Sequence, residues 1–528
     1  MGFAHDYAAA ILARGRVRME PLDFTPDWRD RPRKAKFYPG AEVFPLPEAG
    51  LPPGGTVQDG IFPGGDAAAG RFTLPSLAGM LLDSYGQLGR RLAVHGNTDL
   101  AELPHYSRTN WFRGASSGGG LYPVTIYWVC GAQGPMPPGV YHYATARHAM
   151  VRLATGDLSG DVREALGGLP EADGADNFLV LGVKFWQNSF KYNSFCFHAV
   201  SMDVGALLQT WRIWAGSRDL PVTPALWFDE QRLGRLLGLT PAEEGVFAVV
   251  PLPWQTTGPL APPVGVLPRA VRHRDHERSR RVRTFGTVER IHAATLENAA
   301  QRPAPGALEN AAARPAPTGR PRTPLPAAAP LAMNVRTALR RRRSSFGRFQ
   351  AAPPITAAEL AAVLAATAAT GVHSDAQAHG EPALAKLYAF VNHAEGIAPG
   401  AYEYAPGPGE LHLVKPGPPG GFLQKNYFLG NYNLEQAAAV LVPTVRTGAV
   451  LDAVGDRGYR LVNATIGAIA QTHYTAASAL GLAAGVALGF DNLSFVEELA
   501  LPDGEAPMLL MMIGHERPNP AEFRYEIA

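Results

Sequence analysis

Cysteine is nearly absent from the chain. Cys130 and Cys196 are the only two, each inside an apolar stretch, Tyr127-Trp128-Val129-Cys130 and Phe195-Cys196-Phe197. Two isolated thiols make no disulfide framework. They also bring no companion ligands at the spacing a zinc site needs, so no metal is expected, and they read as small buried hydrophobes. An excess of one charge sign is missing too. The net charge of +2 gives no global pull toward nucleic acid or a membrane surface, although local basic runs exist. No apolar run approaches the roughly 20 residues of a membrane span. The opening Met1-Gly2-Phe3-Ala4-His5-Asp6 lacks the basic region and apolar core of a signal peptide, and a cytoplasmic protein is expected. What the chain does have is 46% hydrophobic against 18% charged residues, enough to fill large buried cores.

The segment from about Arg269 to Pro330 is rich in Arg, Ala and Pro and poor in large apolar residues. It carries a short duplication, Leu296-Glu297-Asn298-Ala299-Ala300 and Leu308-Glu309-Asn310-Ala311-Ala312. Such composition is expected to bury too little surface to offset ordering entropy, which predicts a flexible or extended tether. The sequences on its two sides resemble each other. Pro138-Gly139-Val140-Tyr141-His142-Tyr143 returns 261 residues later as Pro399-Gly400-Ala401-Tyr402-Glu403-Tyr404, and Tyr127 returns as Tyr388. Gly205, Gln209 and Phe228-Asp229 return 262 residues later as Gly467, Gln471 and Phe490-Asp491. A register held that long implies a duplication. The expected division is a first lobe over 1–268, a linker over 269–333 and a second lobe over 334–528. Helical patterns (Leu74 to Tyr85, Met202 to Ala215, Ala357 to Ala368, Thr465 to Leu480) and strand-like runs (Thr125 to Cys130, Phe178 to Val183, Phe247 to Leu252, Met508 to Ile513) make each lobe α+β.

Three motifs carry candidate chemistry. Arg113-Gly114-Ala115-Ser116-Ser117-Gly118-Gly119-Gly120-Leu121-Tyr122-Pro123 leaves a bare backbone that a flat ligand can approach, flanked by hydroxyls that donate or accept. Alone, it is equally a tight turn, and it is no phosphate-binding Walker loop, because no Gly-Lys-Ser/Thr follows. Arg340-Arg341-Arg342-Arg343-Ser344-Ser345-Phe346-Gly347-Arg348-Phe349 opens the second lobe. Clustered guanidinium forks beside serines suit a phosphate, or form a solvated basic boundary. Lys191-Tyr192 precedes a helix. An adjacent amine and phenol, partly desolvated, can act together as a general base, unless they are a surface lysine beside a packed tyrosine.

Together with the Pro-Gly-x-Tyr-x-Tyr hairpin signature, Gly514-His515-Glu516-Arg517, Asp27-Trp28-Arg29-Asp30-Arg31-Pro32 and Lys36-Phe37-Tyr38-Pro39, these motifs resemble the SagB-type azoline dehydrogenases. Those belong to the FMN-dependent nitroreductase superfamily and occur in tandem-lobe form in thiopeptide and linear azole-containing peptide biosynthesis. The resemblance implies two nitroreductase-like lobes in an intramolecular pseudo-dimer with FMN between them. It implies oxidation of peptide thiazolines and oxazolines to thiazoles and oxazoles, with Lys191 and Tyr192 removing the ring proton and O2 reoxidising the flavin. An azoline-containing precursor peptide and a cyclodehydratase would be partners, a further homodimer is open, and neither nucleic acid nor membrane is expected. Cofactor contacts are expected from Arg113, Ser116, Ser117 and Gly118 of the first lobe and from Arg342, Arg343, Ser344, Ser345, Arg348, Gly489 and Arg517 of the second.

The register adds an expectation of its own. Ser116 to Gly120 fall on Gln377 to Glu381, and Lys191-Tyr192 on Ala453-Val454, while Gly514 and Arg517 fall back on Leu252 and Gln255. The losses are complementary, which predicts one composite flavin site and one decayed mate. Two other readings stay open: an NAD(P)H-dependent reductase of nitro groups, quinones or dehydroamino acids on the same fold, and a non-catalytic peptide-binding scaffold.

Overall fold

The computed structural model describes residues 2–48, 53–64, 70–95, 105–265, 271, 273–314, 319–518 and 522–526. The first lobe is built on an antiparallel six-stranded sheet in the order Val43–Pro45, Ala149–Thr155, Gly139–Ala144, Val124–Cys130, Asn177–Lys184, Glu244–Pro251. The second repeats this order as Arg322–Pro324, Glu410–Pro416, Gly400–Ala405, Ala385–Val391, Ala439–Val445, then Leu510–Glu516. The repeated hairpin is the central pair in each case, with Tyr127 opposite His142 and Tyr388 opposite Glu403. Strands of Val, Leu, Ile and aromatics buried on both faces explain the near-continuous apolar runs, because helices and a second layer cover each side.

Between the sheets two long helices, Cys196–Gly216 and Gly458–Ala479, pack against each other along almost wholly buried faces. They are the two copies of one helix in the duplicated register. Polar contacts tie them at several levels: His198 Nδ1 lies 2.8 Å from Tyr459 Oη, and Gln209 Nε2 donates to Thr472 Oγ1 at 3.0 Å. The chain end crosses back, and Glu522–Glu526 pairs with Gly89–His95, which also pairs with His105–Phe112. Among the described residues no helix is long and apolar enough to cross a membrane. Both cysteines are free and buried.

The expected flexible or extended tether is corrected over its described residues. Gly286–Ala294 is a helix, and Phe285, Val288 and Ile291 are buried in the first lobe's core. Its His292 ring stacks on Phe247 at 5° and is pushed down to about 3 by burial. Leu308 and Ala311 are buried further on. Average composition hid a local pattern, since Phe285, Val288 and Ile291 recur every three residues and so share one helical face. At its far end, Arg322–Pro324 is already an edge strand of the second lobe.

Candidate active site

The Ser-Gly loop runs from Arg113 at the end of a strand to Val124 at the start of the next. Ser117 Oγ accepts from Tyr122 N–H at 2.9 Å and donates to Asp203 Oδ2 at 2.6 Å, while Gly118 N–H donates to Asp203 Oδ1 at 2.8 Å. Asp203 stands on the long first-lobe helix. Burial pushes its carboxyl up to about 7, against the two hydrogen bonds that favour the anion. The loop also holds Tyr122 at φ 52, a left-handed conformation costly for a bulky side chain, and such strain clusters at functional sites.

Lys191 and Tyr192 end the short helix Trp186–Tyr192, which stops because Asn193 turns to φ 41. Their polar ends converge on Gly119 (φ 62): a Cβ placed there would lie 2.6 Å from Tyr192 Oη and 2.7 Å from Lys191 Nζ. Glycine is therefore required both by its backbone conformation and by the space these groups occupy. Lys191 Nζ sits 4.7 Å from the Tyr192 ring centroid, and both side chains are half-buried. The loop and the pair, sequence-distant motifs, meet at one point.

The second lobe reaches the same loop. Arg342 is buried, and its guanidinium donates to the carbonyl oxygens of Gly114 at 2.7 Å and Arg113 at 3.0 Å. Gln471, the register partner of Gln209, accepts from Ser116 N–H at 2.9 Å. Behind Arg342, Ser344 Oγ is 2.7 Å from Tyr474 Oη, and the Tyr474 ring lies 5.1 Å under the guanidinium. Arg343, Arg348 and Ser345 all bind one carboxylate, Glu516, with Arg348 at 3.1 Å. Arg517 is exposed and gives its backbone N–H to the Arg348 carbonyl at 2.9 Å. Arg91 joins the group by donating to the Arg342 carbonyl at 2.7 Å. Burial, then repulsion from Arg342, Arg524 and Arg343, lowers it to about 9. Positive charge is thus concentrated here.

Arg113 is clamped between the rings of Tyr85 and Tyr122, at 4.4 and 4.3 Å. Gly489 follows Leu488, whose carbonyl accepts from Arg14 of the N-terminal helix, and a Cβ on it would meet the Leu429 side chain. The Arg14 guanidinium also lies 5.0 Å from the Phe195 ring, three residues after Tyr192. Motif reading missed Arg14, Asp203 and Glu516 as participants, and used Gln471 only as a register mark. The spacing of Gln471 in the duplication was the available signal.

The duplicated register places bulky or charged groups at two of the mirrored positions. Trp227 stands where the register puts Gly489, and it is 1% exposed. Asp375 stands where the register puts Gly114. It accepts from Leu226 N–H at 2.7 Å, from Trp227 N–H at 3.0 Å and from Arg302 at 3.1 Å. Arg302 belongs to the segment expected to be a tether, and it also donates to the Trp227 carbonyl at 3.1 Å.

Residues 339–515 match the nitroreductase family profile. A crystal structure from Anabaena variabilis, assigned as a nitroreductase, shares 20% identity and a TM-score of 0.70, covering 98% of this chain and 100% of that one. A Ralstonia eutropha protein similarly assigned matches at 21% identity over 41% of this chain and 95% of its own, with TM-score 0.28. The E. coli microcin synthetase McbBCD complex with truncated pro-MccB17 matches at 18% over 34% of this chain and 70% of that one, with TM-score 0.29. No curated protein matches the sequence. The end-to-end match shows the fold, a nitroreductase fold in two tandem lobes.

Proposed function

We propose that this chain is an FMN-dependent oxidoreductase that aromatises thiazoline and oxazoline rings in a peptide, at one composite site between its lobes. The observation that carries the reading is the convergence of Lys191 Nζ and Tyr192 Oη on bare Gly119, in a loop that Arg342 of the other lobe grips. A reductase that only relays hydride needs no amine-phenol pair there, whereas azoline oxidation must remove a ring proton.

The residues present fit FMN. Two guanidinium groups and a hydroxyl share the single carboxylate of Glu516, with Arg91 and Arg342 beside them. That donor set carries net positive charge and suits a phosphate. Arg343, Ser344, Ser345, Arg348 and Arg517 would hold the phosphate side. Ser116, Ser117, Gly118 and Gly489 would face the ring system, with Arg113 beside the loop. When bound, FMN would supply a two-electron acceptor, with O2 as terminal oxidant and peroxide as product. Lys191 and Tyr192 would take the proton from the ring carbon next to the C=N bond, Tyr192 Oη accepting it as the phenolate and becoming the neutral phenol, with the Lys191 ammonium stabilising the phenolate before the transfer. Asp203 fixes the loop through Ser117 and Gly118. An azoline-bearing precursor peptide is the substrate, and the enzyme that closes its rings, a cyclodehydratase, is the expected partner.

The test is flavin released per chain together with conversion of an azoline peptide. About one FMN per chain and loss of two hydrogens from the peptide are expected. Two FMN per chain would overturn the composite site. Rapid bleaching by NADPH without peptide oxidation would replace the reading with a reductase, and a chain that cannot be reconstituted would leave a scaffold.

A further inference from the structure

A cavity of about 900 Å³ opens beside the proposed base, with Gly119 and Tyr122 in its inner wall. The N-terminal segment around Trp28 to Tyr38 forms much of its side. This segment carries the basic run Arg29 to Lys36. The charges are one-sided. Arg31, Lys34, Arg113, Arg147 and Arg278 line it, and among the described residues no carboxylate does.

Nearby acids are already engaged. Glu244 takes Lys36, which is thereby neutralised. Asp275 and Glu277 take Lys184. Asp30 accepts the N–H groups of Arg280 and Arg281, at 2.7 and 3.0 Å. Lys34 is the clearest case of charge without an opposite. Its side chain reaches solvent, yet partial desolvation and then the cations Arg113, Arg31 and Lys191 lower its pKa. The open side is aromatic: Trp28 is 52% exposed with its ring edge-on to Phe190 at 4.9 Å, and Phe37 and Trp111 are each 40% exposed. The cations come from four segments of chain, Arg31 with Lys34 on one and Arg113, Arg147 and Arg278 on the others, which matches charges spaced along an extended ligand better than two adjacent phosphates.

We infer that this cavity seats the substrate peptide through carboxylates flanking the ring to be oxidised, with Lys34 and Arg31 as the recognition residues and the aromatic rim covering the chain. The inference rests on the peptide reading above and names what that peptide must carry. Lys34 and Gly119 line the same cavity, and a Cβ on Gly119 would lie 2.7 Å from Lys191 Nζ, so a peptide held at Lys34 runs toward the base.

The experiment is fluorescence anisotropy on the flavin-loaded protein, with a short rhodamine-labelled Gly-Ser-Asp peptide amidated at its C-terminus. Controls are the Asn counterpart and a neutral peptide with a free C-terminal carboxylate. The acidic peptide is expected to bind, to weaken with salt, and to lose about tenfold in affinity on Lys34→Ala or Arg31→Ala, as for a charge-assisted hydrogen bond. Lys34→Arg should retain binding. Binding of only the free-carboxylate peptide would assign the site to a chain terminus and overturn the flanking-residue form. Equal affinity for the Asp and Asn peptides, or displacement of the acidic peptide by NADPH with Lys34→Ala weakening NADPH alone, would overturn the inference. Binding needs no turnover, so an acidic peptide that binds while no azoline is oxidised defeats the proposed reaction and leaves the recognition site standing.

Discussion

Gly205 and Gly467 meet the opposite helix at matching points: a Cβ on Gly205 would lie 1.9 Å from the Ala464 carbonyl oxygen, and one on Gly467 would lie 1.9 Å from that of Met202. Both glycines and both carbonyl residues are related by the same register, so the contact is a two-fold written inside one chain. The obstacle on each side is backbone, which no rotamer change relieves. Gly205→Ala or Gly467→Ala should therefore push the lobes apart and cost about 3 kcal/mol each. The double variant should lose less than the sum, because the first methyl already separates the helices. Urea unfolding followed by tryptophan fluorescence measures both; a gain of about 1 kcal/mol, the helix-propensity advantage of Ala over Gly, would mean that the interface yields.

These glycines show how far the sequence could be read. Their spacing revealed the duplication and hence two lobes of one fold, because a repeated residue is visible without knowing what it touches. Why they are glycine was not legible, since that depends on where two helices cross. The Ser-Gly loop, the Lys-Tyr pair and the arginine run were each ambiguous alone and became a candidate site through resemblance. Asp203 carried no motif: an acid on an apolar helix is recognisable as a loop anchor only once Ser117 and Gly118 stand beside it. The segment around Ile291 was misjudged because proline and alanine dominated its average, while the few apolar residues that decide its packing were correctly spaced for a helix.

Arg342 makes its own prediction. Its planar fork satisfies the carbonyls of Gly114 and Arg113 at once, in a buried position. A lysine offers a point charge without that geometry. Arg342→Lys and Arg342→Ala should both loosen the Ser-Gly loop, lower the melting temperature and reduce retained flavin, with about 3 kcal/mol of stability lost in the alanine variant. Full flavin content in Arg342→Lys would show that charge alone suffices.

The base pair should act on chemistry rather than on binding. Lys191→Ala and Tyr192→Phe are expected to lower azoline turnover by about 100-fold or more, in the range of general-base losses, while flavin per chain stays at the level of the unaltered protein. Both side chains are half-buried at a loop surface, so their removal leaves the core intact. Unchanged single-turnover rates in both variants would remove the pair from the reaction.

The filled mate predicts an asymmetry between Trp227 and Gly489. Gly489→Trp should abolish flavin binding, because it puts at the proposed site the ring that occupies the mate. Trp227→Gly should not create a second flavin site, since Arg302 and Asp375 remain locked together at 3.1 Å. It should instead open a cavity and cost about 3–5 kcal/mol. Flavin fluorescence after heat release counts the cofactor in each variant, and a gain toward two per chain in Trp227→Gly would show that one side chain alone closed the mate.

Asp203 ties the loop to pH. Its carboxyl is raised from 3.8 to about 7, with burial the largest cause. A buried acid with a raised pKa holds its proton in the folded state at pH values where the unfolded chain has released it. Folding is then coupled to proton uptake, and stability falls as pH rises from about 4 to about 7, levelling off above. The full span is on the order of 4 kcal/mol for about three units. Asp203→Asn removes the titration and keeps an oxygen for the Gly118 N–H, while the Ser117 hydroxyl can accept from the new amide. Melting temperature against pH should therefore slope downward through that window in the native protein and run flatter in the variant. Turnover should lose a limb near pH 7 in Asp203→Asn if the ionisation of this anchor also adjusts the loop that meets Lys191 and Tyr192. Parallel melting curves would assign the slope to other groups and leave Asp203 a purely geometric anchor.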